Sequence, residues 1–257
     1  MNGHRARHCL VLLLCAATLY AQEPQSKLEG MWSDPPTTPE DIFCFFTCTD
    51  VGLEYLAGLL NDPANDARPY PELRAEAVAY EEREYVRPRL SAAALETYPL
   101  DELADPGYLD CEPWGLARQV FAPHQLQIRH FPDRIEMRYG EWDARRVVLL
   151  AGALPSDLVP SLLGYSVASY EGDALVIRTS GIRANITSWR AKHSDRLAVT
   201  ERYVRDGDRL LMTATLTDPW GLREPVELKK VWGWAPDQEI FPYVDCERPD
   251  QSSTTGD

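Results

Sequence analysis

The sequence predicts a mainly β protein with a helical N-terminal segment, its strands running as an antiparallel meander that closes into a barrel. Three observations carry this reading. From Leu162 to Gly221, apolar and polar residues alternate in four short runs, broken by Glu171-Gly172-Asp173, a longer loop, and Arg205-Asp206-Gly207-Asp208. Such runs between Gly/Asp turns are the mark of half-buried antiparallel strands. The same period of two begins at Gln125, where Leu126, Ile128 and His130 share one parity and Phe131-Pro132-Asp133 turns the chain into Arg134–Tyr139. Upstream of Cys111 the apolar period is helical instead. Counting Arg146–Leu150, Val226–Trp234 and 239–244 gives about nine or ten strands, enough to close a barrel, with a β-sandwich as the alternative.

Taken in order, the chain begins with a positive Arg5/Arg7 region and an apolar run, Cys9–Leu19, too short to span a bilayer. Ala21-Gln22 follows as a cleavage site, so residues 1–21 read as a signal peptide and the protein as exported, periplasmic or extracellular. Cleavage removes two arginines and no carboxylate, taking the formal charge from -14 to -16. An acidic chain of this kind repels nucleic acid and anionic lipid, which argues against both as partners. No further apolar run is long enough for an integral membrane segment in the mature chain.

Residues 22–37 form an extended, Pro-rich lead-in. Residues 38–110 are a helical segment packed on the barrel. Thr38 caps a helix that Gly52 interrupts and Asn61-Asp62-Pro63 ends; a second runs from Pro71 to Val86, and Pro88 stops it. The stripe Leu53, Leu56, Leu59, Leu73 and Ala77 must cover something, the mouth of the barrel being the natural place. Residues 111–248 are the β domain, and 249–257 a disordered tail. Four cysteines remain after cleavage, Cys44, Cys48, Cys111 and Cys246, and allow three pairings. A Cys111–Cys246 bond would tie the two ends of the β domain and remove about 4–5 kcal/mol of unfolded-chain entropy, leaving Cys44 and Cys48 to pair locally.

Gly30-Met31-Trp32 matches the Gly-x-Trp that opens the first strand of lipocalin-like barrels. The blocks CEPWGLARQVFAPHQLQIRHFPDRIEMRYGE, GYSVASYEGDALVIRTSG, HSDRLAVTERY and EIFPYVDCE, spanning about residues 111–247, resemble a family of exported bacterial proteins of uncharacterised function. The resemblance implies export and these domain boundaries, and supplies no activity. The chain departs from that pattern at Tyr165, where the family carries His, and at Tyr170, where it carries Trp.

Glu201 is the foremost candidate for chemistry. Leu197, Val199, Glu201 and Tyr203 share a parity, so an inward apolar face carries a carboxylate into the barrel, where burial prepares an acid or base. The competing reading is an internal salt bridge to Arg178 or Lys230. If the other face is inward, Arg202 becomes a clamp for an anionic ligand. His193, in the loop feeding this strand, is the partner acid/base candidate. His130, Arg178, Tyr165, Arg202, Tyr203, Trp232 and Trp234 are the candidate ligand-binding residues. His124, His130 and His193 lack the spacing of a metal site, and no nucleophile-elbow, phosphate-loop or dinucleotide motif occurs, so neither a metal nor a cofactor is expected. The leading expectation is a barrel that binds a small, largely apolar molecule inside it. The alternatives are a cofactor-independent isomerase, lyase or cyclase using Glu201 and His193, and an envelope interaction module docking through the helical segment; the oligomeric state is open.

Overall fold

Burial alternates with period two along the long β runs and sorts their side chains into a lumen face and a solvent face. In the computed structural model, which describes residues 27–33, 49–100, 110–152 and 157–243, the strands are β1 (Gly30–Ser33), β2 (Leu126–His130), β3 (Arg134–Tyr139), β4 (Arg145–Leu149), β5 (Tyr165–Glu171), β6 (Ala174–Ser180), β7 (Asn185–Ile186), β8 (Lys192–His193), β9 (Ala198–Asp206), β10 (Arg209–Thr217) and β11 (Val226–Trp234). Nine of them close a barrel in the order β1-β11-β10-β9-β6-β5-β4-β3-β2, and β7 pairs with β8 in a separate two-stranded sheet. The predicted signal peptide, Cys44, Cys48, Cys246 and the tail lie outside the described residues. Cys111 is disulfide-bonded.

Strand direction cannot alternate all the way round a ring with an odd number of members. One neighbouring pair must therefore be parallel, and that pair is β4–β5, in register only at Val148↔Ser166 and Leu149↔Val167. The other eight joints are antiparallel, so the expected meander is corrected at this one seam. The strand that makes the count odd is β1, drawn from the lead-in and paired to both β11 and β2. The strand expected at 239–244 does not join the ring. Of residues 239–243 only Ile240 is even half-buried, Pro242 has no amide to offer a ladder, and Tyr243 makes a single bridge to Glu141.

The helices also divide differently from expectation. Thr49 caps α1 (Asp50–Asn61) through its hydroxyl, which accepts from Gly52 N, and α2 (Tyr70–Glu81) follows. Leu56, Leu73 and Ala77, with Leu53, Leu59 and Val78 against them, make a small core of their own. The apolar stripes of α1 and α2 are thus used on each other and not on the barrel mouth. Gly52 is the contact point: a Cβ there would lie 2.8 Å from Glu81 Cδ, and Glu81 accepts from Thr49 N at 2.9 Å. Beyond α2 a π turn (Glu82–Val86) carries the chain through Pro88 in a short α3 (Arg87–Arg89). The π turn has already broken the i→i−4 ladder, so the missing Pro88 amide costs nothing there.

The barrel end is closed further along. Val86, Leu90 and Ala94, the last on α4 (Ala92–Leu95), join the barrel core together with Leu116 and Ala117 of α5 (Leu116–Gln119). Leu116 N donates to Leu162 O at 2.9 Å and Ser188 N to Ala117 O at 3.3 Å, while the buried Lys230 ammonium donates to Ala122 O from inside the barrel. Among the described residues no helix is long and apolar enough to cross a membrane.

Candidate functional site

Two parallel pairs are too few to hold β4 and β5 together along their length. The strands part at the Arg145/Tyr165 end, leaving a groove of about 600 Å³. Trp114, Trp142, Leu162, Leu163 and Tyr165 supply its apolar walls, with Val147 and Leu149 from β4. Val147 and Leu149, at 52% and 44% exposure, are outward β-strand residues with no covering element.

The loops make the walls. The β3–β4 connection places Trp142 at φ 58° and Asp143 at φ 47°, both in the left-handed region that a bulky side chain enters only at a cost. Asp143 anchors the turn by accepting from Arg138 at 2.5 Å and Arg145 at 3.3 Å, while Trp142 N donates to Tyr243 O at 2.7 Å. Nothing in the β3–β4 hairpin requires a tryptophan in that strained position, but the groove uses it as a wall. Trp114 is held by the Arg118 guanidinium, 4.0 Å above its ring. On the other side Gly164, at φ 64°, delivers the chain into β5. A Cβ there would meet Ser180 O at 2.8 Å.

Arg146 and Ser166 form the floor of the groove and belong equally to the lumen. Glu201 is fully buried, as the parity of β9 predicts, beside Val199 and Tyr203. Its partner is neither Arg178 nor Lys230 but Arg146. Arg146 Nη1 donates to Glu201 Oε1 at 3.0 Å and Nη2 to Oε2 at 2.5 Å. The remaining N–H groups reach Ser166 Oγ (2.9 Å), Thr179 Oγ1 (2.7 Å) and the Tyr139 hydroxyl (3.5 Å). Tyr203 OH donates to Glu201 Oε1 at 2.7 Å. All five guanidinium N–H groups therefore have acceptors. Burial disfavours the charged guanidinium, but the Glu201 carboxylate more than offsets this and holds the Arg146 pKa above its ordinary value. Burial, reinforced by Glu201, pushes the Tyr203 hydroxyl up as well, so it stays a neutral donor. A network this complete is built to hold its charges in place, and Glu201 as proton shuttle would have to break three donated bonds.

The other predicted residues scatter. Arg178 and Arg202 face solvent and share Glu171, at 3.2 and 3.3 Å; they are an outer-surface ion cluster rather than ligand clamps. Trp232 fills the lumen near Tyr203, ring centroids 6.3 Å apart. Trp234 packs edge-on against Trp32 at 4.9 Å under Arg205. His130 sits with Tyr170, its Nδ1 3.4 Å from the hydroxyl. Of the predicted ligand-binding set, Tyr165 alone lines the seam groove. His193 lies on β8, outside the ring, in a different pocket, so it and Glu201 are not assembled as an acid/base pair. Among the described residues no three His, Cys, Asp or Glu side chains are grouped to hold a metal ion.

Burial holds both His193 and His130 below the ordinary imidazole value of 6.5. Below about 6.5 the unfolded chain binds protons that the folded chain refuses. Stability present above that pH is therefore lost as pH falls through the folded values. The urea midpoint is expected to drop between about pH 7 and pH 5, and to drop less in His193→Gln; a midpoint with the same pH dependence in both proteins would contradict this.

No family model and no curated protein sequence matches the chain. Among solved structures, a variant of the fluorescent protein UnaG is similar to it at 18% identity, covering 43% of this chain and 70% of that one with a TM-score of 0.26. A secretory abundant heat soluble (SAHS) protein from Ramazzottius varieornatus is similar at 12% identity, covering 46% of this chain and 76% of that one with a TM-score of 0.22.

Proposed function

We propose that this protein is an exported barrel that binds a small, largely apolar molecule, and that it does so in the β4–β5 seam groove rather than on the barrel axis. The observation that supports the reading is the groove: about 600 Å³ of space walled by Trp114, Trp142, Leu163 and Tyr165, in the size range of small-molecule sites. Ser166 and Arg146, already bonded within the lumen network, close its floor. On the axis, by contrast, the inward side chains bond to one another: Arg146 from β4, Ser166 from β5, Thr179 from β6 and Glu201 from β9. The strained Trp142 fits the same reading, since backbone cost concentrates where a side chain must be aimed.

The test is native mass spectrometry of the full chain recovered from its exported compartment, followed by titration with the apolar dye Nile red. The expected result is a mature chain beginning at Gln22, a retained small molecule, and saturable dye binding that Trp142→Ala weakens at least tenfold, as for an aromatic anchor. Dye binding unchanged in Trp142→Ala, with the fold intact, would overturn the groove as the site.

A further inference from the structure

Trp142, the groove wall in left-handed backbone, is gripped by the segment that follows β11. Along 239–243 only Ile240 is half-buried, and Phe241 is 69% exposed. Among the described residues, the backbone bonds of this segment to the rest of the chain are both at Tyr243. Its N–H donates to Gly140 O and its carbonyl accepts from Trp142 N, each at 2.7 Å. Tyr243 therefore stitches together the residues on either side of Glu141, its bridge partner.

Side chains close the same contact a second time. The Tyr243 ring stacks on His124, centroids 4.7 Å apart and planes 19° from parallel. His124 Nδ1 in turn donates to Glu141 Oε2, and the Glu141 side chain is 5% exposed. Buried Gln119 fixes the backbone there, its Nε2 donating to Glu141 O at 3.2 Å. Residues 140–142 thus hold Tyr243 directly by its backbone and, through His124, by its ring. The approach demands a glycine at 140, where a Cβ would meet Gln125 Oε1 at 2.8 Å, His124 Cβ at 2.9 Å and Phe241 O at 3.2 Å.

Left-handed backbone at a bulky residue persists only where its surroundings over-determine it. Arg138 fixes the Asp143 end of this turn, and Tyr243 fixes the Trp142 end. Tyr243, His124 and Glu141 line no part of the groove themselves, so they act on it through Trp142. A segment with so little burial belongs to the low end of local stability and opens more readily than the ring it leans on.

We propose, on the reading of the seam groove as the ligand site, that residues 239–243 are a latch with Tyr243 and His124 as its positioning residues. Docked, the segment aims Trp142 into the groove; undocked, it releases that wall. Ligand binding and latching are then coupled, and coupling between binding events is reciprocal. Whatever loosens the latch weakens the ligand, and a bound ligand holds the latch closed.

Amide hydrogen exchange of the full chain, read at Trp142 and Tyr243 beside Nile red titration, tests this. Tyr243→Ala is expected to speed Trp142 amide exchange and to weaken Nile red binding, each about tenfold. Tyr243→Phe, which keeps a ring on His124, is expected to restore both. In the unaltered chain, saturating Nile red is expected to slow the Trp142 and Tyr243 amides together. Nile red affinity unchanged in Tyr243→Ala but weakened in Trp142→Ala would overturn the latch and leave the groove standing. Affinity unchanged in both variants is instead the failure of the groove as the site, and takes the coupling with it. If Tyr243→Ala does not fold, the unaltered chain decides: Trp142 and Tyr243 amides that exchange equally fast with and without Nile red overturn the latch.

Discussion

Arg146→Met is expected to lower the stability of the protein by about 3–5 kcal/mol, read as a fall in the urea midpoint. The side chain it removes supplies two of the three bonds to a carboxylate that is 0% exposed. What remains is a charge in the barrel lumen with the Tyr203 hydroxyl as its donor, and buried carboxylates without a counter-ion are among the costliest single defects. Methionine keeps most of the arginine stem, so the loss reports on charge rather than on an empty space. The double variant Arg146→Met/Glu201→Leu is expected to regain most of that loss, because two apolar side chains need no partner. A single variant within about 1 kcal/mol of the parent, or a double variant no better than the single, would show that the pair does not govern lumen stability.

Asp218→Ala is the second large loss, about 3 kcal/mol. Its carboxylate, 2% exposed, accepts two backbone amides and a hydroxyl (Ser194 N, Trp220 N and Ser194 Oγ), and alanine leaves those donors facing a buried space. Asp218→Asn retains one oxygen and is expected to lose about half as much. Gly221 belongs to the same arrangement: a Cβ there would come within 2.8 Å of Asp218 Oδ2. An Asp218→Ala midpoint equal to the parent's would mean that the three bonds contribute nothing and that the turn is held by backbone alone.

The inward Glu201 was legible because β9 alternates cleanly, Leu197, Val199, Glu201 and Tyr203 on one side against Ala198, Thr200 and Arg202 on the other. Its partner was not. In Arg145-Arg146-Val147-Val148-Leu149 charged and apolar residues stand on both parities, and the structure buries Arg146 and Val148 while leaving Val147 and Leu149 exposed. No period-two rule separates the two arginines. The parallel seam was illegible for a related reason: it depends on the parity of the strand count. That count was changed by β1, which the Gly30-Met31-Trp32 signal marked as a first barrel strand but which lay in the lead-in and outside the strand count, and by 239–244, whose β-prone side chains never find a face to bury. The helical stripes of α1 and α2 were readable as amphipathic, but a stripe does not say what covers it. The groove followed from none of these locally, since Trp114 and Trp142 come from two separate connections and Tyr165 from the start of β5, and only the closed ring brings them together.

At the seam, alignment is enforced in an unusual way. Most joints in the ring are set by runs of five to nine backbone pairs, nine of them between β9 and β10, but β4 and β5, like β1 and β11, share two. Side chains supply the missing information. A slip of β4 by one residue would turn Arg146 out to solvent and Val147 in, and Glu201, Ser166 and Thr179 would lose their common donor at once. The network therefore behaves like a check digit: it adds little to a correctly copied number, but nearly every single error makes it fail. Substitutions that leave the groove walls untouched can still be read by whether this check is passed.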